Sequence, residues 1–388
     1  MDESLRVCVL SKQFPPGVGG AETYAYELAN GLAERGHDVD VYTQWIDSPD
    51  EDADVHENVT VTRLCKARKN LVTFETLWFS YKARREIDFE EYDIVHGTMM
   101  PASTIAVTPF NDLDVPVVVT SHGTSIGETK AVALETPADY LLKFFFHPMN
   151  VVMDYMVGHG ADGVIAISDH AYDQLTSSYG LDEDKVKIIP HGVDTQKFTP
   201  CEDIHPSVEE MNITFLYVGR LGARKGLELA LRAFATLDTN DIEFLIVGTG
   251  RHEESLRALS QELGVENSVQ FLGYVPDSEL PVLYSSADVF VLPSTYEGFG
   301  LVLLEAIACG TPAIGSDAGG IPTAVSHAGA GLVVDRTLPD FRAAMEQVIV
   351  DGQLISNSTE SQMDRDELSW QPAVKRVCDL YTVLLREN

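Results

Sequence analysis

Basic side chains are what this sequence has least of. It carries 27 lysines and arginines against 60 aspartates and glutamates in 388 residues, a formal charge of −33. A polyanion of that size repels phosphate backbones, so no nucleic-acid partner is expected. The acids run along the whole chain rather than gathering in a tail, the pattern expected of a protein adapted to concentrated salt, where charges are screened over a few ångströms. Cysteines are few and scattered: Cys8, Cys65, Cys201, Cys309 and Cys378, an odd number without a Cys-x-x-Cys pair. Neither a disulfide framework nor a zinc site is indicated, and reduced, buried thiols are expected. No apolar run reaches membrane-spanning length, and the opening Met1-Asp2-Glu3-Ser4 has no basic leader, so a cytoplasmic protein is expected. Core material is not lacking: 45% of residues are hydrophobic and 9% aromatic. The length exceeds what one core ordinarily supports and points to two domains.

Short apolar runs alternate with helical patterns throughout. Val7 to Leu10, Val39 to Tyr42, Val59 to Leu64, Ile94 to His96, Val115 to Thr120, Val164 to Ile167 and Val186 to Ile189 form one series. Ile213 to Val218, Ile242 to Val247, Val269 to Leu272, Val289 to Leu292, Ala313 to Gly315 and Gly331 to Val334 form a second. Strands spaced by helices give parallel sheets, so the fold class is α/β with two doubly wound Rossmann-like domains. Residues 192–211 are polar and poor in pattern, as a linker should be. The expected division is 1–195, 196–365 and a closing segment 366–388. Two such domains facing across a cleft would take ligands at the carboxyl ends of their strands.

The densest chemistry lies at 293–312, Pro-Ser-Thr-Tyr-Glu-Gly-Phe-Gly-Leu-Val-Leu-Leu-Glu-Ala-Ile-Ala-Cys-Gly-Thr-Pro. The apolar strand Val289 to Leu292 delivers the chain to a sheet edge, Gly298 and Gly300 permit a tight turn, and Leu301 to Ala308 continue as a helix. The first N–H groups of that helix lack intrahelical partners and suit a phosphate or diphosphate. Glu305, about one and a half turns in, can accept two hydrogen bonds from a vicinal diol, while Glu297 stands at the loop mouth. Phosphate, diol and sugar together describe a nucleotide-sugar. Strand Ile213 to Val218 ends in Gly219-Arg220-Leu221-Gly222-Ala223-Arg224-Lys225-Gly226. Fixed cations at Arg220 and Lys225 can stabilise the charge on a departing diphosphate. No Asp-x-Asp ends a strand, so no obligatory metal or cofactor is expected.

The segment 297–305 resembles the Glu-x7-Glu signature of retaining GT-B glycosyltransferases, specifically glycosyltransferase family 4, and the resemblance extends over nearly the whole chain. It implies the GT-B fold and transfer of a hexose from a nucleotide-sugar such as a UDP- or GDP-sugar to an acceptor hydroxyl, with a surface glycan or lipid-linked acceptor. It also implies roles. Glu297 would hold the sugar hydroxyls, Glu305 the ribose diol, and Arg220, Lys225 and the Phe299-Gly300-Leu301 backbone the diphosphate. His122, at the end of Val115 to Thr120, is similar to the family histidine beside the sugar and leaving phosphate. Gly19 and Gly20 would bring backbone N–H groups near the donor, and Tyr274 and Val275 would hold the base. Ser168-Asp169 and Pro190 to Asp194 also match family elements, the latter with His191 where asparagine is common. Within the same fold, a nucleotide-sugar epimerase leaves the glutamate signature unexplained, and a non-catalytic nucleotide-sugar sensor would bind donor without transferring or hydrolysing it.

Residues 63–85 break the acidic trend with Arg63, Lys66, Arg68, Lys69, Lys82, Arg84 and Arg85 interleaved with Trp78, Phe79 and Tyr81. Two readings stand: a basic, aromatic surface for anionic head groups, giving peripheral contact at the cytoplasmic face of a membrane, or a helix whose aromatics are core. The apolar stretches Tyr140 to Phe146 and Val151 to Val157 are expected to pack against the sheet.

Overall fold

The computed structural model describes residues 4–15, 19–47, 53–67, 72–99, 113–131, 134–208, 213–237, 241–350 and 365–387. Arg68 and Lys69 lie outside these residues. The chain divides into two compact units, Met1–His191 with Trp370–Asn388, and Gly192–Ser369.

The first unit runs β1 (Arg6–Leu10), α1 (Gly20–Glu34), β2 (Asp38–Trp45), β3 (Val59–Lys66), α2 (Val72–Glu86), β4 (Ile94–Thr98), β5 (Val117–Ser121), α3 (Ser125–Ala131), α4 (Pro137–Leu141), a π-helical turn at Leu142–Phe146, α5 (His147–Gly160), β6 (Gly163–Ala166) and β7 (Val186–Ile188). Its strands form one parallel sheet in the order β3-β2-β1-β4-β5-β6-β7, so the winding reverses between β1 and β4. Both faces are covered, which is why these strands read as continuous Val and Ile runs rather than alternating ones. Cys8, Leu10, Val95, Val119 and Val164 point into one core layer with Phe79 of α2 and Val157 of α5. On the opposite face lie α1 and the closing helix of the chain, Trp370–Glu387. Val374 sits so close to Gly31 that a Cβ there would come within 2.7 Å of its Cγ2, and Arg35 donates to the Gln371 carbonyl at 2.8 Å. Leu384 and Leu380 cover Gly163.

The second unit runs β8 (Ile213–Val218), α6 (Leu227–Phe234), β9 (Ile242–Val247), α7 (Glu253–Glu262), β10 (Val269–Gly273), α8 (Leu280–Ser285), β11 (Val289–Leu292), α9 (Leu301–Ala308), β12 (Ala313–Ser316), α10 (Ile321–Ala328), β13 (Gly331–Val334) and α11 (Leu338–Val350). The closing helix is therefore α12. This sheet is also parallel, in the order β10-β9-β8-β11-β12-β13, and reverses between β8 and β11. The carboxyl ends of strands flanking such a reversal splay their loops apart and leave a crevice. Two parallel Rossmann-like sheets in succession are the GT-B architecture anticipated from the sequence.

Three expectations are corrected. β5 begins at Val117 rather than Val115, because Pro116 has no N–H for the ladder and forces its predecessor out of register, while its carbonyl accepts from Val95 at 3.0 Å. Residues 192–208 are not a loose linker. Val193 N–H donates to the Leu368 carbonyl at 2.8 Å, Arg365 binds the carbonyls of Thr195 and Phe198 at 2.6 and 3.0 Å, and Phe198 is buried against Tyr284. The division accordingly falls after His191 and before Trp370, rather than after 195 and before 366. Finally, the stretches 140–146 and 151–157 pack against the sheet only in part: Val157 is buried in the core and Val151 and Met153 pack against it. The inward face of α5 is the one carrying Asp154 and Val157, whereas Tyr140, Leu141, Phe144, Phe145, Val152 and Tyr155 are exposed. Asp154 goes inward because it accepts from the Ser125 N–H at 2.9 Å and the Tyr179 hydroxyl at 3.2 Å, orienting α3 and α5 together. Burial pushes its carboxyl up to about 6. Within 63–85 the core reading holds for Phe79, which is fully buried, while Trp78 and Tyr81 are exposed.

Candidate functional site

In the second unit the loops after β8 and β11, on the two sides of the reversal, are fastened to each other. Thr295 binds the Arg224 carbonyl through its N–H at 2.7 Å and its hydroxyl at 3.0 Å. Gly226 has φ +67°, and a Cβ there would stand 2.1 Å from the Pro293 carbonyl oxygen, so only glycine lets the loops close this far. The result brings together two residues 72 positions apart: Lys225 Nζ lies 2.5 Å from Glu297 Oε1, with both side chains largely shielded. Ser294 donates to the same carboxylate oxygen at 2.7 Å. Arg220, one loop turn earlier, is exposed, its guanidinium unpaired with any described residue. Its carbonyl is held by the buried Tyr217 hydroxyl at 3.0 Å.

Past Glu297 the chain turns through Gly298, the buried Phe299 and Gly300, whose φ of +103° opens α9. The turn is clamped by Gly319 and Gly320: the Gly320 N–H donates to the Glu297 carbonyl at 2.8 Å, and a Cβ on Gly320 would come within 2.0 Å of the Gly298 oxygen. α9 thus begins at Leu301, four residues after Glu297. Glu305 sits on the same helix, and the Tyr284 hydroxyl donates to its Oε2 at 2.9 Å. Burial pushes the Glu305 carboxyl up to about 7, so near neutral pH it exchanges between donor and acceptor forms. Tyr274 and Val275 follow β10; Tyr274 is exposed and Val275 half-buried. Arg220, Lys225, Glu297, Phe299–Leu301, Glu305, Tyr274 and Val275 thus all belong to one unit, on the segments that follow the carboxyl ends of its strands, with Leu301 and Glu305 in helix α9.

His122, Gly19 and Gly20 belong to the first unit. Gly19 caps α1, its carbonyl accepting from the Thr23 N–H at 2.9 Å. Tyr24 of α1 reaches the end of β5, where its ring meets His122 edge-on at 4.8 Å and stacks on His191 at 5.1 Å. Its hydroxyl pairs with Thr120 Oγ1 at 2.9 Å; Thr120 pairs with His96 Nε2 at 2.8 Å, and His96 Nδ1 with the Tyr381 hydroxyl of α12 at 2.5 Å. Burial lowers His122 to about 4 and His96 to about 3, so both rings are neutral at physiological pH. The His122 Nε2 is buried and finds no hydrogen-bond partner among the described residues, an orphaned polar atom that a ligand can satisfy. Ser168 is an N-cap, accepting from the Ala171 N–H at 3.2 Å.

Sequence reasoning did not find Ser294, Tyr284, Gly319, Gly320 or the Tyr24–Thr120–His96–Tyr381 chain. Ser294 carried a signal, a hydroxyl three residues before the glutamate. The others act from distant parts of the chain.

Residues 202–363 match the family Glycosyl transferases group 1, and residues 18–197 match Glycosyltransferase Family 4. The D-inositol 3-phosphate glycosyltransferase of Pseudarthrobacter chlorophenolicus is 30% identical over 85% of this chain and 83% of its own length. The sucrose-phosphate synthase of Thermosynechococcus elongatus superposes with a TM-score of 0.84 at 23% identity, over 99% of this chain and 100% of that one. Anabaena HepE, solved in complex with UDP-glucose, gives a TM-score of 0.70 at 19% identity over 98% and 100% of the two chains.

Proposed function

We propose, from the premise that the chain belongs to the family 4, group 1 glycosyltransferases, that it transfers a hexose from a UDP- or GDP-sugar to an acceptor hydroxyl with retention of anomeric configuration. The observation that carries the reading is the Lys225–Glu297 pair at the mouth of α9, with Glu305 farther along the same helix. The diphosphate takes the first α9 amides, Lys225 and the exposed Arg220; Glu305 takes the ribose diol; Glu297, steadied by Ser294, takes hydroxyls of the sugar. The Tyr274-Val275 loop takes the base. HepE is solved with UDP-glucose, which supports a donor of that class.

In the reaction the acceptor oxygen bonds to the anomeric carbon from the side on which the C–O bond to the diphosphate breaks. The electron pair of that bond goes to the phosphate oxygen, and the acceptor proton follows it. Charge therefore grows on the leaving group, where preorganised cations and helix amides lower the barrier. In this scheme the protein's own cations do that work, no metal is obligatory, and activity persists in EDTA. The neutral His122, with its orphaned Nε2, orients the sugar and leaving phosphate together with the Gly19-Gly20 backbone. No carboxylate acts as nucleophile. The acceptor is a lipid-linked or surface glycan, and the protein works in a cytoplasm rich in salt.

Proton NMR of the enzyme incubated with α-linked UDP- and GDP-sugars tests the reading. One donor should be consumed, the sugar transferred or slowly released first appearing as the α-anomer. A β-anomer as first product would refute retention; stable donor binding without turnover under any acceptor supply would leave a sensor.

A further inference from the structure

We propose that the first unit docks on an anionic lipid bilayer through the outward face of the helical rod 137–160. The rod is continuous from α4 through the π-turn to α5. The wide turn lets the neighbouring Phe144 and Phe145 both face solvent, at 67% and 57% exposure. Leu141, Val152 and Tyr155 extend the same stripe at helical spacing. A contiguous apolar surface of this kind marks an interaction site in a soluble fold.

The occupant follows from the charge. This segment contains two acids, and both turn inward. Asp139 accepts the Thr136 N–H at 2.8 Å, and Asp154 accepts the Ser125 N–H at 2.9 Å. Lys143 is then the one charged side chain outside the core of the rod. Exposed Lys130 stands on α3, which packs on α5, with Glu128 and Glu135 bordering. On the same side of the sheet α2 exposes Trp78 and Tyr81, ring centroids 5.6 Å apart, with the Arg85 guanidinium 5.8 Å over the Tyr81 ring. In a chain of charge −33, an aromatic rod that buries both of its own acids and keeps Lys143 outside, with Glu128 and Glu135 only at its border, fits an anionic interface. A second copy would bring only the same apolar stripe and the same lysines. Among the described residues no helix is long and apolar enough to cross a membrane, so the rod lies in the head-group layer, with its aromatics at the acyl boundary.

The test is flotation of the full chain with phosphatidylcholine vesicles and with vesicles of phosphatidylcholine and phosphatidylglycerol, in 0.1 M salt and in roughly molar KCl. Wild type should float with the mixed vesicles, bind neutral ones at least several-fold less, and lose part of that preference in high salt. F144S/F145S should abolish flotation, and K143E should weaken it for mixed vesicles alone. Retained stabilisation by the nucleotide certifies the fold of each variant, and turnover is read separately, so failure of docking and failure of the transferase reading are distinguishable. Absence of flotation, equal flotation of the double variant, or indifference to lipid charge would overturn the proposal. A concentration-dependent dimer broken by F144S/F145S, without vesicle binding, would assign the stripe to a second copy instead.

Discussion

Glu305→Gln separates the stability of the proposed donor cradle from its proposed function. The carboxyl has an ordinary value of 4.5 and stands at about 7 in the folded protein, chiefly through burial. The unfolded chain therefore releases this proton near pH 4.5, while the folded one holds it until about pH 7. Below pH 4.5 both states are protonated and the group is neutral toward folding. Between pH 4.5 and 7 stability declines, and above 7 the full cost is present. A gap of that size corresponds to roughly 3 kcal/mol at most. Glutamine removes the charge but still accepts from the Tyr284 hydroxyl. The variant should thus be more stable than wild type at pH 8, by on the order of 1–3 kcal/mol after local relaxation, and nearly equal to it at pH 4.5. Nucleotide binding moves the other way, because a charged acceptor for the ribose diol contributes roughly 1.5–3 kcal/mol, so affinity should fall about 10- to 100-fold. Unfolding midpoints in roughly molar KCl at the two pH values, with and without UDP and GDP, measure both effects. A destabilised variant at pH 8, or a difference independent of pH, would refute a buried, costly Glu305; unchanged nucleotide affinity would refute the diol role.

Lys225→Met should weaken nucleotide binding and lower kcat/KM by at least tenfold, since it removes a cation from the diphosphate and leaves the Glu297 carboxylate held by the Ser294 hydroxyl without its ion-pair partner; calorimetry and initial rates check this. Gly226→Ala should destabilise by more than about 1 kcal/mol, because alanine tolerates neither φ +67° nor a Cβ at 2.1 Å from Pro293 O, as urea titration would report. Tyr381→Phe removes the partner of the buried His96 Nδ1 and should cost about 1–3 kcal/mol, read as a lower unfolding midpoint. Raising KCl from 0.1 M to molar levels should raise the midpoint of the wild type, as screening relieves the repulsion of 33 excess negative charges; a flat or falling curve would remove the case for salt adaptation.

Local chemistry determined a great deal here. Valine and isoleucine runs separated by helical spacing specified two parallel sheets, since a strand buried on both faces admits no polar alternation. The strand-glycine-glutamate-helix order at 289–308 specified β11, the turn through Gly298 and Gly300, and α9, since these rest on backbone geometry that short sequences encode. Tertiary structure decided what depends on partners far along the chain. Lys225 meets Glu297 only because β8 and β11 are neighbours across the reversal, and Glu305 is poised near neutrality only because the fold desolvates it, by more than the Tyr284 hydrogen bond to its charged form offsets. The same holds where the sequence pattern misled. The apolar stretches 140–146 and 151–157 are expected to pack against the sheet, but a helix has one inward face, which Val151, Met153 and Val157 share with the hydrogen-bonded Asp154, leaving Tyr140, Phe144, Phe145 and Tyr155 outside.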